Sequence, residues 1–258
     1  MAGPRHLDNP GAGRRERLDR LLVSRGLVKS RARAQDLIRQ GHVLVAGRIA
    51  GKSAQLVPDD ADIRLGEEAW QHVSRGALKL RAGLAHFGFS VSGRVALDVG
   101  ASTGGFTETL LGHGAVRVYA VDIGTAQLHE TLRRDPRVIN LEGQDARRLS
   151  ATDVPEPIGA IDADLSFISL AKALPAALEL AAADAWLIAL VKPQFEAGPE
   201  AVGRGGIVRD YPTRERALAE VRQWIDALPK WQTAGHIASP IKGRTGNLEY
   251  LIGADRRA

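Results

Sequence analysis

Apolar positions change their period several times along the chain, and the changes divide it. From Glu16, the leucines Leu18, Leu21 and Leu22 recur at helical spacing until Gly26. Ser30 is placed to cap a second helix, in which Ala34, Leu37 and Ile38 face inward and which Gly41 ends. Residues 42–47 then alternate as a strand and a turn, and Leu56–Pro58 and Ile63–Leu65 close a small α+β unit. Beyond residue 73 the rhythm is different. Ser74 caps a helix carrying Lys79, and short apolar runs follow at 95–97, 116–121, 138–141, 158–165 and 186–191, with helical stretches between them. That alternation predicts an α/β domain with a parallel sheet covered on both faces. A helix over 217–228 and strands over 231–239 and 247–252 finish it. Residues 196–210, with four glycines and Pro199, predict a long functional loop. The expected plan is a disordered tail (1–14), a small domain (15–65), a linker (66–73) in which Trp70 alone is anchored, and a large domain (74–258).

The first strand of the large domain runs into the most informative stretch. Asp98 is followed by a turn spaced G-x-x-x-G-G, with Gly100, Ser102, Gly104 and Gly105, and then by Phe106, Leu110 and Leu111 at helical spacing. Strand, glycine turn and helix let backbone approach a ligand closely, because glycine has no Cβ in the way. Asp122 closes the second apolar run, where an acid can hold both hydroxyls of a ribose. The spacing departs from the G-x-G-x-x-G of dinucleotide sites, with Ser102 at the position where a pyrophosphate needs glycine. A ligand with adenosine and no pyrophosphate fits better, and S-adenosyl-L-methionine is the common one. Asp98, Gly100, Ser102, Gly104, Gly105, Phe106 and Asp122 are therefore the expected cofactor contacts. Asp145, after the third run, joins them as acceptor for an adenine amino group. Asp164, after the fourth, is placed to meet both the ligand's cationic end and a substrate. Lys79, Asp164, Lys192 and Glu249 are the candidates for chemistry, since a lysine among carboxylates can accept a proton from an attacking hydroxyl.

Charge adds a second function. Of the 35 lysines and arginines, 13 lie in residues 1–65 with 7 of the 30 acids, a balance of +6 against −1 for the remainder. Such an excess suits a polyanion-binding module in front of a nearly neutral catalytic body. The cations expected along a phosphate backbone are Arg20, Lys29, Arg31, Arg33, Arg39, Arg48 and Lys52, with Ser30 and Gln35 beside them. Arg31, Gln35 and Arg39 recur every four residues as a solvent-facing strip. Cysteine is absent, which excludes disulfides and thiolate chemistry, and the seven histidines lack ligand spacing, so no metal site is expected. The polar N-terminus has no apolar signal core, and the run at 174–191 is broken by Pro175, Glu179 and Asp184. A cytoplasmic protein without a membrane span is expected.

Three resemblances sharpen these expectations. Over residues 17–64 the order Arg-Leu-Asp-x-Leu-Leu, Gly-Leu-Val-x-Ser-Arg, Ala-x-x-Leu-Ile and Gly-x-Val-x-Val-x-Gly resembles the S-four (alpha-L) RNA-binding domain. That implies structured RNA as the partner, read by shape and phosphates. Residues 73–253 resemble the FtsJ-type ribose 2′-O-methyltransferases, whose essential Lys-Asp-Lys-Glu set matches Lys79, Asp164, Lys192 and Glu249 in order. The whole chain after residue 14 is similar to the TlyA (haemolysin A) family, described as 2′-O-methylating cytidine in ribosomal RNA. Gln144-Asp145 stands where that family often has Thr-Asn, and Ala77 where it has a second glycine. The resemblance implies a Rossmann-like, S-adenosylmethionine-dependent methyltransferase acting without a metal on ribosomal RNA or ribosomal subunits. In it Lys192 takes the hydroxyl proton, Asp164 and Glu249 orient the lysines, and Lys79 positions the ribose or its phosphate. The competing readings are an RNA-binding assembly factor with an inactive body, which has no reason to keep all four residues, and a membrane-active haemolysin, for which no amphipathic segment is found.

Overall fold

The computed structural model describes residues 15–28, 30–39, 42–65, 73–74, 76–203, 205–243 and 246–257. The expected tail (1–14), Lys29, and the linker residues 66–72 with Trp70 lie outside them, as does the side chain of Arg39. The chain forms two compact units, Met1–His72 and Val73–Ala258.

In the first unit β1 (Arg15–Arg17) precedes α1 (Leu18–Ser24) and α2 (Arg31–Arg39), followed by β2 (Val43–Val45), β3 (Arg48–Ile49), β4 (Leu56–Pro58) and β5 (Ile63–Leu65). The periodic leucines of α1 pack on Ala34, Leu37 and Ile38 of α2, and this seam is the core of the unit. Gly26 leaves α1 in the left-handed region, φ 69°. Ser30 does cap α2, its Oγ accepting the Arg33 N–H at 3.2 Å. Ala46 and Gly47 (φ 49° and 73°) turn β2 into β3, as a two-residue hairpin requires. The helix expected from Glu16 starts at Leu18 instead, because Arg15–Arg17 pairs with the distant Leu56–Pro58. The strands form two small sheets, β1-β4 and β3-β2-β5.

The second unit is built on a sheet ordered β11-β12-β10-β9-β6-β7-β8. Its strands are β6 (Val95–Val99), β7 (Arg117–Asp122), β8 (Val138–Glu142), β9 (Ile158–Ala163), β10 (Ala181–Val191), β11 (Trp231–Ala238) and β12 (Tyr250–Arg256). Neighbours from β10 to β8 are parallel, and β12 lies antiparallel to both β10 and β11. Helices α3 (Gly76–Phe87), α4 (Gly105–Gly112) and α5 (Glu130–Arg133) and helices α6 (Leu170–Ala173), α7 (Pro175–Glu179), α8 (Pro193–Glu196) and α9 (Tyr211–Asp226) supply the rest. Alternate residues of β6 and β7 point to opposite faces: Leu97, Val99, Tyr119 and Val121 enter one buried cluster, Ala96, Val118 and Ala120 the other. Both faces are dry, as a covered parallel sheet demands. The fourth apolar run, expected to reach Leu165, stops as a strand at Ala163. The chain reverses its direction of travel across the sheet between β6 and β9, which opens a crevice beyond their carboxyl ends.

Candidate active site

Each acid expected at a strand end meets a different fate in the crevice. Asp122 ends β7, and its two carboxylate oxygens accept the N–H groups of Ser102 (2.8 Å) and Gly124 (2.7 Å). Asp145 follows β8 and holds Arg147 through both oxygens, the shorter contact being 2.6 Å. The Arg147 guanidinium keeps its carboxyl at about 2, well below the ordinary value. Asp122, Asp145 and Asp164 line one cavity of about 420 Å³ with Gly100 and Ser102. A pocket of roughly 300–1,000 Å³ is the usual size for a small-molecule site.

Gly100 (φ 94°) is required twice over. A Cβ there would lie 2.7 Å from the Asp164 carbonyl oxygen, so the first βα turn and the end of β9 touch only through glycine. Gly104, Gly105 and Phe106, expected in the cradle, are not among the residues that line the cavity. A Cβ on Gly104 would run into Leu128 and Leu132, one on Gly105 into Ser74, and Phe106 is buried in the core. Their role is close packing of α4.

Asp98 is likewise absent from the cavity lining. It is fully buried, accepts the Thr107 hydroxyl at 2.6 Å, and lies in register with the equally buried Asp162 on β9. Burial pushes Asp98 up to about 6 and Asp162 well above the ordinary carboxyl range. The charge of Asp98 adds to the rise at Asp162, and Asp98 Oδ1 and both Asp162 carboxyl oxygens are buried with no hydrogen-bond partner among the described residues. Asp162, too, is absent from the cavity lining.

Lys79, Asp164, Lys192 and Glu249 do come together. Lys79 rises from the first turn of α3 and Lys192 leaves β10. Glu249 precedes β12, whose antiparallel run brings its start beside the end of β10, with Tyr250 opposite Val191. The ammonium of Lys79 lies 2.7 Å from Glu249 and 3.5 Å from Asp164, and that of Lys192 lies 2.6 Å from Asp164. Lys79, Lys192 and Glu249 are at most 7% exposed. Burial alone would raise the Asp164 carboxyl, but the ammoniums of Lys79 and Lys192 outweigh it and hold it below the ordinary value. The result is a chain of alternating charge, Glu249–Lys79–Asp164–Lys192, whose member Asp164 lines the cavity.

Sequence reasoning missed several neighbours. Lys192 also donates to the Ser166 hydroxyl at 3.1 Å. Phe167 stands 91% exposed with φ 67°, its ring 5.1 Å from that of Phe195. Both belong to the Asp164-Leu-Ser-Phe stretch, so their closeness to Asp164 was the available signal. Glu196 accepts the Leu170 N–H at 3.0 Å, and burial, with Glu220 nearby, pushes its carboxyl up to about 7 against that bond.

In the first unit Arg20, Arg48 and Lys52 are exposed and Arg33 partly so. Arg31 and Gln35 are not a free strip: with Arg17 they converge on the buried Asp19 carboxylate at 2.8–3.1 Å. The Arg17 guanidinium and these donors hold that carboxyl far below its usual range.

Residues 72–256 match the FtsJ-like methyltransferase model and residues 16–63 the S4 domain model. The chain is 46% identical over 242 residues to the 16S/23S rRNA (cytidine-2′-O)-methyltransferase TlyA of Mycobacterium tuberculosis, covering 93% of this chain and 89% of that one. The chain belongs to the TlyA family. Hemolysin A of Brachyspira hyodysenteriae is 40% identical, with 91% and 98% of the two chains covered. A solved Streptococcus thermophilus protein that bears the hemolysin name superposes with a TM-score of 0.74 at 38% identity, over 94% of this chain and 89% of that one. Among the described residues of this TlyA-family chain no helix is long and apolar enough to cross a membrane.

As a TlyA-family member the protein is an S-adenosyl-L-methionine-dependent methyltransferase. The cavity fits that cofactor. A carboxylate stands at the end of the second strand for a ribose, and the side-chain-free Gly100 leaves room between β6 and β9. Asp164 adds a further carboxylate to the cavity wall.

Proposed function

We propose that the protein methylates the 2′-hydroxyl of a cytidine in ribosomal RNA, working on ribosomal subunits in the cytoplasm. The observation that carries this reading is the buried Glu249–Lys79–Asp164–Lys192 chain, whose Asp164 lines the cofactor cavity. Its support from relatives is that proteins of this family in Mycobacterium tuberculosis and Campylobacter jejuni are named rRNA (cytidine-2′-O)-methyltransferases. S-adenosylmethionine supplies a methyl group on a sulfonium, an already good leaving group.

The protein's own task is to bind, align and take one proton. Asp122 would hold the cofactor's ribose, and Asp145 and Gln144 would face its adenine. Lys192 Nζ would meet the attacking hydroxyl and receive its proton while passing one of its own to Asp164 Oδ1, 2.6 Å away, so the pair together gains one proton. Lys79, held by Glu249, keeps Asp164 in place and can reach the ribose or its phosphate. Most of the acceleration comes from alignment. The exposed Phe167 ring offers a stacking face to an unpaired base, and the exposed Arg20, Arg48 and Lys52 would meet phosphates.

The test is to incubate the full-length protein with purified 30S and 50S subunits and methyl-labelled cofactor, then map the label. Label on a cytidine 2′-oxygen, absent with Asp164→Asn, is the expected result. Label on a base atom, or none on either subunit from a protein that binds cofactor, would overturn the assignment.

A further inference from the structure

The chain leaves Lys192 through α8 and a 3₁₀ turn, Pro199–Ala201, into a glycine-rich stretch closed by the bridge between Gly203 and Ile207. Gly205 and Gly206 both have positive φ, 79° and 74°. Segments with so little side chain lose much conformational freedom when they are ordered, and something must hold this one. The holder is Asn247. Only 1% exposed, it accepts the Val208 N–H on Oδ1 at 3.0 Å and donates from Nδ2 to the Gly206 carbonyl at 2.7 Å. Its own carbonyl accepts the Gly243 N–H at 2.9 Å. Gly243 in turn lies flat against the Glu249 carboxylate, where any Cβ would strike Oε1. Two residues beyond Asn247, Glu249 grips Lys79 at 2.7 Å. One buried amide thus ties the loop that leaves Lys192 to the turn that leads into Glu249.

We propose that Asn247 is a positioning residue that latches Gly203 and residues 205–208 as a wall against which the RNA substrate lies, on the Lys79–Glu249 side. The inference rests on the reading of Lys79, Asp164, Lys192 and Glu249 as the methyl-transfer site. With the latch closed, the wall is ordered before RNA arrives, and binding does not have to order it. The cofactor cavity shares no residue with the latch. Loss of Asn247 therefore weakens the hold on RNA and leaves cofactor binding and the chemical step near their normal values.

Asn247→Ala in the full-length protein should raise KM for ribosomal subunits roughly tenfold, as expected for two lost hydrogen bonds. Its kcat should stay within about threefold and its cofactor Kd should not change. Hydrogen exchange at 203–208 should accelerate at least about tenfold, while exchange in β10 and β12 stays as it was. Asn247→Asp keeps the Val208 acceptor and loses the donor to Gly206. It serves if the alanine variant does not fold, and should move KM in the same direction. A fall in kcat with KM unchanged would mean that Asn247 acts through Glu249, and the wall would be withdrawn. Weakened cofactor binding together with general destabilisation would reduce it to a core residue. If the wild-type protein methylates no ribosomal RNA, the site reading fails, and the exchange measurement still decides the latch: protection at 203–208 unchanged in both variants overturns it.

Discussion

Replacing Lys192 by arginine separates two roles that the same geometry permits, proton acceptor and fixed cation. Lys192 Nζ lies 2.6 Å from Asp164 Oδ1 and 3.1 Å from Ser166 Oγ, with the residue only 7% exposed. A guanidinium can keep the charge pairing with Asp164, so Lys192→Arg should fold and bind cofactor normally. It cannot release a proton at any working pH, and so cannot relay one from the hydroxyl. A positioned base is worth ~10²–10⁴ in rate, about 3–5 kcal/mol of barrier. Lys192→Ala should suffer the same kinetic loss. It should also lose about 3–5 kcal/mol of stability, because among the described residues the Asp164 carboxylate keeps only Lys79, at 3.5 Å, as a partner. The assay is single-turnover methylation with enzyme in excess over subunits and saturating cofactor, beside urea melts of both variants. A Lys192→Arg rate within about fivefold of wild type would refute proton acceptance and leave Lys192 as a fixed positive charge.

Two further outcomes follow from the geometry. Asp122→Ala should weaken cofactor binding by ~1–3 kcal/mol in calorimetry, whereas Asp122→Asn, which can still accept one of the Ser102 and Gly124 N–H groups, should lose less; unchanged affinity in the alanine variant would remove the ribose assignment. Glu196 titrates near 7 in the folded protein against 4.5 ordinarily, so the unfolded chain releases its proton first and stability falls as pH rises from about 4.5 to 7. Glu196→Gln, which can keep the Leu170 bond, should gain up to about 3 kcal/mol over wild type at pH 8 and little at pH 5, and an equal gain at both would disprove the shift.

The sequence by itself determined the parts of this protein that depend on local pattern. Alternating apolar runs fix strands because a residue pointing to either face of the sheet must find a dry partner. The leucines of α1 and the alanine, leucine and isoleucine of α2 fix a helix pair for the same reason. Asp122, Asp145 and Asp164 were legible because a parallel sheet presents the carboxyl ends of all its strands to one crevice. The Lys-Asp-Lys-Glu order was legible through the family resemblance, although its members are separated by 170 residues at the extreme.

What only the tertiary structure decided were the interactions that cross elements. Nothing near Asp98 says that Asp162, three strands later in sequence, will stand opposite it, so a residue that reads as a ligand contact becomes half of a buried carboxyl pair. Gly104 and Gly105 look like a cradle in one dimension, and in three they are the places where Leu128, Leu132 and Ser74 leave no room for a Cβ. Arg31 and Gln35 have the spacing of an exposed strip, yet Asp19, more than ten residues earlier, gathers both. Asn247 carries no local signal of its latch. Helical and strand periods record which face of an element is buried, while the partner on that face is set by the register of distant strands, which no local period encodes.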